Sequence, residues 1–181
     1  MTLKNKLGIH NAVELSRQEE RLSKQRALEL FDEGLLDTFE IGTFAGLQAI
    51  HAHLFCDVYD FAGDVRTGNI AKGSFRFAPS LYLDAALESI SAMPQSTFDE
   101  IIEKYVEMNV AHPFWDGNGR TGRILVNRGL MRAGLAPVVI PVEERAAYMD
   151  LLARSDYDGL AAMLRRLSEA ETERMERFAE L

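Results

Sequence analysis

Cysteine is nearly missing from this chain: one residue in 181, Cys56, set in an apolar run. That excludes a disulfide framework and any zinc cluster built on cysteines, and it leaves Cys56 as a small core residue. An excess of positive charge is also missing. Twenty Lys and Arg stand against 28 Asp and Glu, a formal net charge of −8. Such a surface argues against nucleic acid or an anionic membrane as partner, while leaving room for a local basic pocket. No window reaches 18 apolar residues, so no membrane-spanning helix is expected. The opening Met1-Thr-Leu-Lys-Asn-Lys leads into polar sequence without an apolar core, so no secretory signal is expected, and the compartment expected is the cytoplasm. No internal repeat, linker or low-complexity stretch breaks the sequence.

What is present is enough apolar sequence, 47%, for a real core, and a length suited to one domain over residues 1–181. Residues 12–34 read as a helix with Leu15, Leu22, Ala27, Leu28 and Leu30 between charge blocks and Gly34 as its stop. A second helical pattern covers about 40–55, with Leu47, Ile50, Leu54 and Phe55 on one face. From Tyr59 to Phe77 the helical period fails. Ile70 and Phe75–Phe77 flank Lys72-Gly73-Ser74 and predict a short hairpin, which must lean on the helical body as a flap over 63–78. Helix returns over 80–92, and Pro94 breaks it. Thr97-Phe-Asp-Glu100 reads as a capping box opening a helix whose stripe of Ile101, Ile102, Tyr105, Val106 and Val110 ends at His112-Pro113. A further helix starts near Asn118, buries Ile124, Leu125, Leu130 and Met131, and stops at Gly134. Val138–Val142 reads as extended, and residues 144–154 and 157–180 as helical. The fold class predicted is mainly α, a compact helical bundle carrying one short β-hairpin flap.

Chemistry concentrates in His112-Pro-Phe-Trp-Asp116-Gly117-Asn118-Gly119-Arg120-Thr-Gly-Arg123. A plain turn would explain Asp-Gly-Asn-Gly, since Gly and Asn tolerate positive φ. It would not explain an imidazole four residues before Asp116 or two guanidinium groups just after the glycines. The loop precedes a helix start, where unpaired N–H groups and the dipole favour an anion. Gly117 and Gly119 let the backbone approach phosphate oxygens, and Asn118 adds a side-chain donor. Arg120 and Arg123 offer planar forks to phosphate, and Asp116 is a hard-cation ligand suited to Mg²⁺. His112 can take a proton from an incoming hydroxyl near neutral pH. Singly, each has a plainer fate: dipole partner for His112, salt bridges for the arginines, N-cap for Asp116. Phe114 reads as a core anchor of the loop. Trp115 fits a surface ring or a pocket wall equally. His10, His51 and His53 read as structural or surface residues.

This stretch resembles the signature of the Fic family, His-x-Phe-x-Asp/Glu-Gly-Asn-Gly-Arg-x-x-Arg, at every defined position. The likeness extends to Tyr105–His112 and to Asp60-Phe-Ala-Gly63 through Phe77, and covers about 1–155. It implies a helical bundle with a flap and, as activity, protein adenylyl transfer: AMP passes from ATP to a Tyr, Thr or Ser hydroxyl of a target protein, releasing pyrophosphate. By the resemblance His112 is the general base and Asp116 holds Mg²⁺. Gly117, Asn118 and Gly119 form the anion hole, Arg120 steadies phosphates and loop, and Arg123 holds the γ-phosphate. Asn69, Ile70, Lys72, Gly73, Ser74 and Phe75 would dock an extended target segment by main-chain pairing.

Many members of that family carry an inhibitory Ser/Thr-x-x-x-Glu-Gly/Asn helix. Here only degraded matches exist, Ser16-x-x-x-Glu20 before Arg21 and Thr172-x-x-x-Glu176 before Arg177. Glu176 is the candidate inhibitory residue, and a separate small antitoxin-like inhibitory protein is the alternative. The rival activities are transfer of another nucleotide, phosphocholine or phosphate on the same fold, or nucleotide binding without catalysis. The retained Gly117–Arg120 segment favours AMP, and an intact His112 favours catalysis.

Overall fold

Asn11 starts the first helix: its side-chain oxygen accepts from the N–H groups of Val13 and Glu14, both at 3.0 Å, and α1 runs Ala12–Asp32. Gly34, at φ 66°, takes the left-handed turn that ends it. The computed structural model describes residues 2–72, 75–154 and 156–179. Thr43 caps α2 (Phe44–Phe55), which starts later than the expected 40 because Gly42 sits at φ 69° just before the cap. A 3₁₀ turn, Ser80–Tyr82, precedes α3 (Leu83–Ala92). Thr97 and Glu100 make the predicted capping box in full, opening α4 (Phe98–Ala111). Then come α5 (Asn118–Arg132), α6 (Arg145–Ala153) and α7 (Tyr157–Ala179). The stretch expected to be extended, Val138–Val142, is free of helix as far as Pro141, with a 3₁₀ turn from Val142, and Asn127 braces it by bonding both the N–H and the C=O of Val138.

The hairpin is small. Strand β1 (Ala71–Lys72) pairs antiparallel with β2 (Phe75–Arg76), in register Ala71↔Arg76 and Lys72↔Phe75. Gly73 and Ser74, two of the residues expected to dock a target, lie outside the described residues, as do the side chains of Lys72 and Phe75. The base of the hairpin is closed by Asn69, whose Oδ1 accepts from the N–H and the hydroxyl of Ser80, at 2.8 and 3.2 Å.

Three apolar clusters build the interior. One joins α4, α5, α6 and α7 through Ile102, Tyr105, Val126, Leu130, Tyr148 and Leu164. A second packs α1 on α2, around Leu30, Leu54 and Phe55. The third sets Phe114 among Leu47, Leu83, Leu87 and Met108. Each fully buried Leu or Phe in these clusters contributes about 1.5–3 kcal/mol. On α5 the fully buried stripe is Val126 and Leu130, while Met131, expected inside, is 39% exposed. The helix packs against both α2 and α4; Val126 and Leu130 enter the cluster shared with α4, α6 and α7, Ile124 and Leu125 pack towards α2, and Met131 joins none of the three clusters.

Helix α7 runs antiparallel to α4. Near its start the Tyr157 hydroxyl bonds Glu107 late in α4, and further on Arg165 bonds Asp99 at the beginning of α4. Its final turns therefore point away from the 112–117 loop. Among the described residues no helix is long and apolar enough to cross a membrane.

Candidate active site

His112 is the left-handed cap of α4, at φ 50° and ψ 62°, and the only non-glycine residue with positive φ among those described. Such a conformation costs a residue other than Gly, Asn or Asp of order 1 kcal/mol or more and persists only where neighbours impose it. The neighbours are specific. The His112 carbonyl accepts from Arg66 Nε at 2.8 Å, and its imidazole stacks on Phe77 with 3.8 Å between ring centres. His112 Nδ1 lies 3.3 Å from the Asn109 carbonyl. Since a carbonyl can only accept, Nδ1 carries the proton in that bond, which in the neutral ring assigns the lone pair to Nε2. A half-buried imidazole in this tautomer is equipped to accept a proton at Nε2.

The loop between α4 and α5 is braced from within. Asn118 is buried, and its side chain bonds both the N–H and the C=O of Phe114, at 2.9 and 2.8 Å. The side-chain amide is thereby committed to the loop, and what it presents at the helix start is its backbone. Thr121 N–H makes the first bond of α5, to the Gly117 carbonyl, so the N–H groups of Asn118, Gly119 and Arg120 precede the hydrogen-bonded ladder. Gly117 takes φ 76°, and a Cβ there would lie 2.4 Å from the Phe55 ring. Asp116 is exposed, with one carboxylate oxygen accepting from Gly117 N–H at 2.6 Å. Among the described residues no group of three His, Cys, Asp or Glu forms a metal cage. One anchored carboxylate without a cage suits a cation such as Mg²⁺, which keeps waters and shares its shell with phosphate oxygens.

His51 sits directly beneath this loop. It is 1% exposed, stacks on Phe114 at 3.8 Å, and places Nε2 3.0 Å from the Asp116 carbonyl. Its Nδ1 accepts from Gly63 N–H at 2.8 Å, so Nε2 is the donor. Burial pushes its pKa down to about 4, against the backbone bond to Asp116, which works the other way. The sequence places His51 among structural or surface residues, and it is a strut beneath the loop between α4 and α5. Its only sequence signal was a histidine within an otherwise apolar face.

The two arginines diverge. Arg120 turns to α1, where its guanidinium bonds Glu19 and, at 2.9 Å, the Ser23 hydroxyl, and lies 4.7 Å over the Phe55 ring. Glu19 also accepts from the Tyr59 hydroxyl, whose pKa is raised by burial and by that carboxylate. Arg120 thus ties the loop to α1. Arg123 folds back along the first turn of α5, its Nη1 3.4 Å from where a Cβ on Gly119 would stand. Among the described residues no carboxylate pairs with it. Glu19 and Ser23 were legible in principle: they fall four and eight residues after Leu15 on the buried face of α1, where an acidic side chain calls for a partner. Trp115 is half-buried and lays its indole edge against Gly68, 2.7 Å from where a Cβ there would be.

Glu176, the candidate inhibitor, is not brought to Arg123. It is exposed on the last turns of α7, eight residues beyond Ser168, whose hydroxyl bonds the Ala136 carbonyl past the far end of α5. Arg123 stands at the opposite end of α5, and the direction of α7 fixes that separation. Glu20 of the other match is exposed and pairs with Lys24 at 2.8 Å.

Comparison with known proteins gives consistent results. The Fic/DOC family model matches residues 43–130. The chain is 30% identical over 180 residues to a probable protein adenylyltransferase, y4lH, of Sinorhizobium fredii, covering 91% of this chain and 90% of that protein. It is 30% identical over 149 residues to a probable protein adenylyltransferase Fic of Salmonella typhimurium, covering 74% and 70%. Against the protein adenylyltransferase fic-1 of Caenorhabditis briggsae it is 31% identical over 124 residues, 65% of this chain, and spans about a quarter (24%) of that longer relative. Among solved structures, the N-terminal FIC domain of Bep8 from Bartonella sp. 1-1C superposes with a TM-score of 0.79 at 19% identity, covering 92% of this chain and 90% of that one. BepC from Bartonella tribocorum, with bound AMPPNP, gives 0.75 at 18%, covering 92% of each. These two likenesses speak for the fold.

Proposed function

The chain belongs to the Fic/DOC family, and from that premise we propose that it is a protein adenylyltransferase, moving AMP from ATP to a Tyr, Thr or Ser hydroxyl of a target protein. The observation that carries this reading is the placing of the His112 ring by the Asn109 carbonyl at the mouth of the loop. Its Nδ1 is held by the Asn109 carbonyl, and it caps the helix just before a loop that opens an anion-favouring helix start. Relatives named as adenylyltransferases support it, as does the AMPPNP in the BepC structure.

In this reading His112 Nε2 takes the proton of the target hydroxyl as its oxygen forms a bond to the α-phosphorus. The bond from that phosphorus to the α,β-bridging oxygen breaks, and pyrophosphate leaves. The backbone N–H groups of Asn118, Gly119 and Arg120 hold the α- and β-phosphate oxygens, and Arg123 holds the γ-phosphate. Asp116 is the residue that would hold Mg²⁺, an ion that when bound supplies neutralisation of phosphate charge. Positioning and charge neutralisation carry most of such a rate. The flap aligns the target as an added strand. One domain over residues 1–181 holds all of these parts.

The test is transfer of label from ATP in the presence of Mg²⁺ and cell lysate. Label from α-³²P-ATP without label from γ-³²P-ATP is expected, and His112→Ala should reduce it about 10²–10⁴-fold while ATP binding persists. Transfer of the γ-label instead would assign a phosphotransferase, and an undiminished rate in His112→Ala would overturn the base assignment.

A further inference from the structure

Arg66 is the largest fully buried side chain described, 1% exposed, and among the described residues no carboxylate pairs with it. A buried cation without a counter-charge is costly unless every donor finds an acceptor. Here carbonyls supply them. Nε donates to His112 O at 2.8 Å and Nη1 to Gly68 O at 2.6 Å. Nη2 donates to Ala78 O at 2.5 Å and Ala111 O at 3.2 Å, and the backbone N–H of Arg66 reaches Pro113 O at 2.8 Å. Burial alone pushes the guanidinium pKa down, yet an arginine stays charged.

The pattern of these acceptors is informative. Ala111 and His112 are the terminal carbonyls of α4, orphaned by the end of the helix and at the negative end of its dipole, where a cation is favoured. Gly68 and Ala78 bracket the hairpin on its entering and leaving sides. One planar fork therefore ties both legs of the flap to the backbone of the base. Two further contacts run the same way: Ala78 N–H bonds the Val110 carbonyl at 3.3 Å, and Phe77, next in the leaving leg, stacks on the imidazole.

We propose that Arg66 is a positioning residue for the transfer reaction, the cation that imposes the left-handed backbone of His112 and locks base and flap into one unit. A hydroxyl presented by a target strand on the flap then meets Nε2 in a fixed geometry. This inference rests on the adenylyl-transfer reading above. It predicts that Arg66 acts on the base and leaves nucleotide affinity alone, since none of its contacts reaches residues 116–123.

Arg66→Lys, which keeps the charge and loses the fork, is the primary variant, with Arg66→Gln beside it. Nucleotide binding measured by calorimetry with ATP should stay within about twofold, while α-label transfer at saturating ATP should fall about 10²-fold, the scale of an ångström-sized misplacement. The protein has four histidines, so ¹⁵N-histidine spectra with His112→Ala as the assignment control isolate the His112 ring. In Arg66→Lys its Nδ1–H signature should give way to mixed tautomers. A merely structural arginine would lower the melting temperature and leave that ring signal and the rate per folded molecule unchanged, which would overturn the proposal. The wild-type protein supplies a measurement independent of variant folding: the Arg66 Nε–H should exchange slowly with solvent, and exchange at the rate of an exposed arginine would also overturn it. If wild type moves no α-label, the adenylyl-transfer reading fails, and the ring and exchange measurements still decide the positioning role.

Discussion

Gly117 is the residue least open to replacement in the loop between α4 and α5. Its φ of 76° already disfavours a side chain, and a Cβ would stand 2.4 Å from the Phe55 ring and 3.2 Å from His51 Nε2. Gly117→Ala is expected to lower stability by ~2–4 kcal/mol, the sum of left-handed strain and overpacking. Because relief requires the loop to lift off His51 and Phe55, ATP affinity should fall with it. Urea unfolding and calorimetry on the same preparation would check both. Loss of stability with unchanged ATP affinity would mean that the loop is not the nucleotide site. Single residues here act through backbone groups as often as through side chains. His51 holds a carbonyl, Asn118 holds both backbone groups of Phe114, and Arg66 holds four carbonyls.

At the scale of elements, α1 matters because it supplies the partner of Arg120. Glu19 is 5% exposed and meets the guanidinium across a distance of 101 residues in sequence, with the Tyr59 hydroxyl on the same carboxylate. Removing one member of a buried pair leaves the other uncompensated. Glu19→Ala should therefore cost about 2–3 kcal/mol, less than the full value for a buried pair because Arg120 keeps 31% exposure. A loss below about 0.5 kcal/mol in chemical denaturation would show the pair to be incidental, as many exposed pairs are. The helical elements were largely legible beforehand, since Gly34, Thr97 with Glu100, and Gly134 all serve as the stops and starts their chemistry suggests. The hairpin was legible from its alternation. The true start of α2 was not, because Gly42's positive φ depends on the chain path around Gln95 rather than on local propensity.

For the molecule as a whole, His51 gives a pH dependence of folding. Its folded pKa is pushed down to about 4 by burial, from an ordinary 6.5. The unfolded chain therefore binds a proton that the folded chain refuses, and stability falls as pH drops from about 6.5 towards 4. The full cost below that window is about 3 kcal/mol. Arg120, Glu19 and Asp64 bear on the same imidazole, Arg120 lowering and the two carboxylates raising its pKa. His51→Gln, which keeps a donor for the Asp116 carbonyl but does not titrate, should flatten the stability profile between pH 6.5 and 4 in metal-free buffer. Equal slopes for variant and wild type across that window would remove His51 as the source.

The sequence by itself determined the helical class and the hairpin, and it marked the 112–123 stretch as a candidate site, because each is written locally. Caps and turns follow from residue type, helix faces from a period of 3.6, and the 112–123 cluster from residues adjacent in the chain. It also suggested Glu176 as an inhibitor on spacing alone. The tertiary structure decided the rest, because the deciding partners are far apart in sequence. Arg66 meets His112 across 46 residues, His51 meets Asp116 across 65, and Arg120 meets Glu19 across 101. The same packing carries Glu176 to the end of α7 remote from Arg123, a matter of helix direction that four-residue spacing cannot encode. A buried polar side chain has to find a partner, but which partner depends on how the helices cross, and that is fixed only when the apolar faces of the described helices come together.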